Sequence, residues 1–291
     1  MYSEAQVLNE LLGYIYCNES KLPIQYATVE LVDNNIGALT NKKGYFSISL
    51  TKKNNNGLVG IRMLGYKPKS LKLDSWSKNK IDTIYLIKDT IDLKEVTISS
   101  QKINCPPYLL GINTKSNAVF FENVGNQIAV FCKNENNNKN GKINSLRFYI
   151  KSGGKYNAPF RVHLYSVGKD GLPNEELLRE NLIVAANKKK WFEVDVDSLN
   201  ITIPKAGFFI AMEWIYTDES FHYLSEANRK KYSQQQYGQK LGAVESKELN
   251  DYTYLKRLGG KWYKFIIPNL QKESISYNAL INGKVTYSCE E

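Results

Sequence analysis

Side chains able to do chemistry are sparse in this sequence. His163 and His222 are the only histidines, and Cys17, Cys105, Cys132 and Cys289 the only cysteines, in 291 residues. The cysteines lie far apart, with no CxxC and no Cys/His cluster, so neither a zinc ribbon nor a thioredoxin-type centre has its ligands. Free buried thiols are expected. No GxSxG, P-loop or Cys/His signature is present for nucleophilic or phosphoryl chemistry. No cofactor and no metal is expected. Carboxylates are plentiful, which leaves open an acidic pair at the roughly 5 to 9 Å spacing of a glycosidase.

Strand phase offers a more specific constellation. Leu146, Phe148 and Ile150 alternate with Arg147, Tyr149 and Lys151, and Phe160, Val162 and Leu164 alternate with Arg161, His163 and Tyr165. If these two strands pair, one face gathers Arg147, Tyr149, Arg161, His163 and Tyr165. Guanidinium forks and phenol rings suit carboxylates and sugars, because one donates in a fixed plane and the other stacks. The competing expectation is an ordinary outer face of a solvated sheet.

Glu213 sits in the run Phe208 to Ile215, apolar on both faces, and so is expected to be at least partly buried. A buried charge needs a partner, and Arg147, Arg161 and His163 are the candidates, for structural pairing rather than general-acid work. Glu193, Asp195 and Asp197 share one strand face. Same-face neighbours lie roughly 7 Å apart, too far to share one calcium ion without ligands from elsewhere. From Trp214 to Phe265 the sequence carries eleven aromatics in 52 residues. Such rings either roof a core or mark a recognition surface, with Trp214 and Tyr252 as candidate ligand contacts.

These side chains must be held by strands. Apolar residues make up 42% of the chain and charged residues 23%, with Tyr 20 and Met 3, which favours short strands and polar turns. The formal charge of +10 is spread out: 13 basic and 10 acidic residues up to residue 100, 26 and 19 beyond it. Without a focused basic track, nucleic acid is not an expected partner. No stretch approaches the roughly 20 apolar residues of a transmembrane helix. Met1-Tyr2-Ser3-Glu4 does not open like a signal peptide, so export would need a leader ahead of this sequence.

From Leu11 to about Ser99 the text alternates in period two, with Ala27, Val29 and Leu31 expected inward against Thr28 and Glu30, and Phe46, Ile48 and Leu50 inward against Tyr45, Ser47 and Ser49. Turns at Asn34 to Gly37 and Asn41 to Gly44 separate the strands, and Leu93 to Ile98 reads as a last strand. Cys105-Pro106-Pro107 stiffens a linker. Beyond it strands are expected at Gln127 to Cys132, Ile143 to Lys151, Ala158 to Val167, Trp191 to Val196, Gly207 to Ile215, Trp262 to Ile267 and Ser276 to Tyr287. A hairpin is expected at Ile201 to Gly207 and a short helix within Ser225 to Gly238. The division is therefore an extension at 1–10, a domain at 11–101, a linker at 102–110 and a second domain at 111–291.

Within the first domain, Pro23-Ile24 with Tyr26-Ala27-Thr28-Val29, Thr40-Asn41 ahead of Gly44 and Phe46, Gly65-Tyr66, and Leu93-Lys94-Glu95-Val96 together resemble the carboxypeptidase-like regulatory domain. That family is a transthyretin-like β-sandwich common in Gram-negative envelope proteins. The resemblance covers about a third of the chain and implies a non-catalytic module of an exported protein. In TonB-dependent receptors such a module precedes a plug and barrel, but only 190 residues follow Gln101, without a series of alternating membrane strands. The zinc centre of the carboxypeptidase that names the domain is also not expected, since Ser166 and Ser225 stand three residues after the two histidines. The second domain is similar only in style to jelly-roll-like envelope modules.

The expectation is thus an all-β chain of two antiparallel sandwiches, the second jelly-roll-like, acting without catalysis in the cell envelope by contacting a glycan or an envelope protein. The rivals are a carbohydrate-active hydrolase with an acidic pair in the second domain and a purely structural assembly subunit joined through strand edges.

Overall fold

Alternating side chains build strands almost everywhere. The computed structural model describes residues 9–51, 57–76, 80–89, 106–136, 139–224, 235–246, 252–267 and 275–288. Within them lie 24 strands and three single-turn 3-10 helices, at Leu73–Ser75, Asp197–Leu199 and Glu219–Phe221. The chain divides into two units, one of residues 1–93 with 256–261, the other of 94–255 with 262–291.

The first unit contains a sheet of three strands and one of four. Asn9–Cys17 lies between Tyr45–Leu50 and Ile81–Leu86, antiparallel to the first and parallel to the second. The other sheet runs Ile36–Leu39, Thr28–Leu31, Leu58–Arg62 and Lys69–Lys72. Leu11, Ile15, Val29, Leu31, Phe46, Ile48, Val59 and Ile61 form its core, with Phe46 edge-on to Trp76 at 5.8 Å. The Asn41 to Gly44 turn delivers Phe46 as expected. Asn41 Oδ1 accepts from the Lys43 and Tyr45 amides, and Gly44 has φ +75, with Ile15 O 2.5 Å from where a Cβ would stand. Glu30 departs from the alternation: it is 5% exposed rather than outward, and its carboxylate is paired with Arg62 and accepts from the Gly259 amide. A charge can sit there because both partners are supplied within the unit.

The second unit is a sandwich of two larger sheets. One runs Pro173–Glu176, Pro159–Val167, Phe208–Trp214, Gln127–Cys132, Thr253–Lys256 and Trp262–Lys264, with Leu182–Ala185 also on Pro159–Val167. The other runs Ile266–Ile267, Ile275–Ala279, Lys240–Ser246, Gly141–Lys151, Ile281–Tyr287 and Tyr108–Gly111, with Lys190–Asp195 on Gly141–Lys151 and Ala118–Phe120 on Lys240–Ser246. Their inner faces meet through Phe148 and Phe160, rings 5.2 Å apart and nearly perpendicular. Every residue of Phe208–Trp214 is buried, because its outward face is covered too.

Several local expectations change. Tyr108–Gly111, of which residues 108–110 were expected in the linker, is an edge strand of the second unit. Ile201 to Gly207 makes only an isolated bridge, Thr202 to Lys142, in place of a hairpin. The expected helix within 225–238 overlaps residues 225–234, outside the described residues, and Gln236–Tyr237 is a strand on His222–Tyr223. The expected Leu93 to Ile98 strand, Cys105 and Cys289 also lie outside them. Among the described residues no helix is long and apolar enough to cross a membrane.

Candidate functional site

Pro159–Val167 and Phe208–Trp214 pair so that Arg161 faces Glu213 and His163 faces Ala211. The small Ala211 leaves room for the His163 ring to reach diagonally to the Glu213 carboxylate. His163 Nε2 lies 2.8 Å from Glu213 Oε2, and Arg161 Nη1 lies 3.4 Å from the same oxygen. The edge strand Pro173–Glu176 brings Glu176 to the other side, its Oε2 2.6 Å from His163 Nδ1. Glu176 Oε1 accepts from the Leu164 amide at 2.8 Å. Tyr165 stacks on the His163 ring at 5.3 Å and donates its hydroxyl to Gln127 Oε1 at 2.9 Å. Glu213 is 1% exposed, Arg161 4% and His163 7%.

This is a buried run of alternating charge, Glu176, His163, Glu213, Arg161. Burial by itself pushes the His163 pKa down, but Glu176 and Glu213 outweigh it and hold it above the ordinary value. Burial, reinforced by the same two carboxylates, holds the Tyr165 hydroxyl well above its usual range. Both ring nitrogens are thus engaged by carboxylates of the cluster. Removing one member of such a pair strands a buried charge.

Arg147 and Tyr149 do not join this cluster. Gly141–Lys151 and Pro159–Val167 lie in opposite sheets, since the segment between them crosses the sandwich instead of closing a hairpin. The expected five-residue face is therefore two faces. On the outer side of the eight-stranded sheet, Lys190–Asp195 places Trp191 opposite Tyr149 and Glu193 opposite Arg147. The Arg147 guanidinium lies over the Trp191 ring at 4.7 Å, and Tyr149 meets that ring edge-on at 5.3 Å. Arg147 Nη1 donates to Asn282 Oδ1 at 3.2 Å, and its Nε lies 3.7 Å from Glu193.

Beside these rings runs an open groove of about 610 Å³ lined by Pro107, Asn144, Ser145, Glu193, Asp195 and Lys284, among others. The three expected carboxylates do line it, Glu193 and Asp195 from the strand and Asp197 from the 3-10 turn after it; Glu193 and Asp197 are paired with lysines, and Asp195 Oδ1 accepts from the Asp197 amide at 2.8 Å. Lys284 Nζ lies 2.7 Å from Glu193 and the Ser145 hydroxyl donates to Glu193 at 2.6 Å, while Lys142 lies 3.1 Å from Asp197 and Asn144 donates to it at 2.8 Å. Burial opposes ionisation of Glu193, but Lys284 and Ser145 prevail and lower its pKa; the Asn144 and Lys142 bonds lower that of Asp197. Among the described residues no group of three or more His, Cys, Asp or Glu is placed to hold a metal ion.

Trp214 is not a surface contact. It is fully buried, with Nε1 donating to Gln239 O at 3.1 Å, on a central strand of its sheet that is paired on both sides. Tyr252 is half-buried and stacks against Phe131 at 6.5 Å, lining a separate cavity of about 260 Å³ with Leu109, Ile112 and Lys133. His222 pairs with Glu219 at 3.0 Å. Cys17 and Cys132 are free and buried, and burial pushes the Cys132 thiol up. Sequence reasoning missed Trp191, Lys284 and Glu176 as site residues. Trp191 carried a faint signal, an aromatic heading a strand straight after three lysines, whereas Glu176 lies in a short polar strand without periodicity.

Residues 11–98 match the CarboxypepD_reg-like domain family. No curated protein matches the chain by sequence. Over 97% of its length the chain is similar to the clostridial cysteine protease Cwp84 after propeptide cleavage, at 12% identity and a TM-score of 0.36, spanning 71% of that structure. It is likewise similar to the cysteine protease and lectin-like domains of Cwp84, a surface-layer-associated protein of Clostridium difficile, at 12% identity and a TM-score of 0.39, spanning 63% of that structure. At these scores neither likeness bears on function.

Proposed function

We propose that this chain is a non-catalytic, exported protein of the cell envelope, and that its second unit binds a glycan on the outer face of the eight-stranded sheet. The observation that carries the proposal is the Arg147, Trp191 and Tyr149 group beside the open polar groove. Aromatic rings give sugars a stacking surface, and the groove's amide, hydroxyl and paired charged groups offer donors and acceptors of both kinds. Glu213 and His163 are meanwhile engaged in their own buried pairs. The envelope placement rests on the regulatory-like domain of residues 11–98.

Glycan-array binding by the full chain, beside Trp191→Ala and Arg147→Ala, tests the assignment. Retained signal for the parent chain and at least tenfold weaker signal for both variants is expected. Equal binding in all three, or none in any, removes the second unit's outer face from consideration.

A further inference from the structure

The outer face of the three-stranded sheet in the first unit carries a row of tyrosines that its core does not require. Period two turns Tyr14 and Tyr16 outward from Asn9–Cys17, Tyr45 from its neighbour on one side and Tyr85 from its neighbour on the other. Register sets Tyr14 against Tyr45 and Tyr16 against Tyr85. The rings follow one another, Tyr45 to Tyr14 across strands at 5.3 Å, Tyr14 to Tyr16 along Asn9–Cys17 at 6.0 Å and Tyr16 to Tyr85 across again at 6.2 Å. Tyr85 is 40% exposed, Ile87 two residues on is 52% exposed, and Ile81 at the start of the strand is 58% exposed. The remaining three tyrosines are half-buried by one another and still accessible.

We propose that this tyrosine strip is a second binding site, for an extended, uncharged polysaccharide chain. Charge argues for a neutral occupant. In a chain with 23% charged residues, the register rows through the tyrosines contain Tyr, Thr83 and, bridged to Tyr16, Pro23, with Lys21 at one end, its Nζ 4.6 Å from the Tyr85 ring centroid. Nothing there would attract an anionic polymer along its length. Area argues for a thin one. Three strands about 4.8 Å apart and about seven residues long present on the order of 300 Å², well short of the ~800 Å² per partner of a stable protein interface. Tyrosine supplies amphipathic contact at low entropic cost, and ring steps of 5.3 to 6.2 Å are comparable to the repeat of linked pyranoses.

Affinity electrophoresis of the full chain through gels containing hydroxyethylcellulose, arabinoxylan or pullulan, with polygalacturonate as the charged control, tests the proposal. Retardation by at least one neutral polymer is expected, with affinity at least tenfold weaker in Tyr85→Ser and in Tyr16→Ala and kept in Tyr16→Phe. Tyr85 lies on an edge strand, so its variant should keep the parental melting temperature, which separates loss of contact from loss of fold. Trp191→Ala should leave this retardation intact, so the strip and the second unit's site stand or fall separately. Retardation by polygalacturonate alone, by no neutral polymer, or equally in the tyrosine variants overturns the proposal. So does a tyrosine-dependent dimer in sedimentation velocity, which would make a second copy the occupant.

Discussion

His163 is held between two carboxylates at 2.6 and 2.8 Å, and this makes the second unit's stability a function of pH. The folded pKa is raised above 6.5, so the imidazolium's contribution is full below about pH 6.5 and is lost as pH rises through the folded value. Melting of the parent chain and His163→Gln across pH 5.5 to 9 should show the largest gap at the acidic end, narrowing upward; a gap independent of pH would contradict a charged imidazole. Glu213→Gln should cost about 3 kcal/mol or more, since Arg161 and His163 then lose their shared partner. Glu213 was legible because apolar neighbours on both faces left its carboxylate nowhere wet to go. Glu176 was not, since a short edge strand gives no phase to read, and Glu30 misled because alternation takes no account of a partner arriving from a distant turn.

At the scale of elements, strand phase was readable and sheet membership was not. Gly141–Lys151 alternates as expected over Leu146 to Lys151, whereas Pro159–Val167 is buried on both faces from Phe160 to Leu164, with Arg161, His163 and Tyr165 still sharing a face. Whether two successive strands hydrogen-bond or cross to the opposite sheet is decided by long-range pairing, here with Lys190–Asp195 and Phe208–Trp214, which local periodicity does not encode. Turn chemistry was more faithful. Gly44 was placed by Asn41 and by the need for positive φ, and a Cβ there would press on Ile15 O. Gly44→Ala should therefore destabilise the first unit by more than ~1 kcal/mol, measurable by urea titration followed through Trp76, whose indole contacts Phe46.

Over the whole molecule, the all-β class and the regulatory-like domain at residues 11–98 followed from alternation, Asn-Gly turns and a handful of motif residues. The discontinuous first unit, which takes in residues 256–261, left no trace in composition because a turn is polar wherever it docks. Accessible rings were harder to find than buried charges: Trp214, a candidate ligand contact, is sealed in the core, while Trp191 ahead of the aromatic-rich stretch lies under the Arg147 guanidinium on the outer face. The most direct test of a binding chain without turnover is to incubate an array-identified glycan with the full chain for a day and weigh the recovered sugar by mass spectrometry. Intact glycan, still bound by the parent, is the predicted result; shortened glycan produced in proportion to protein would contradict it.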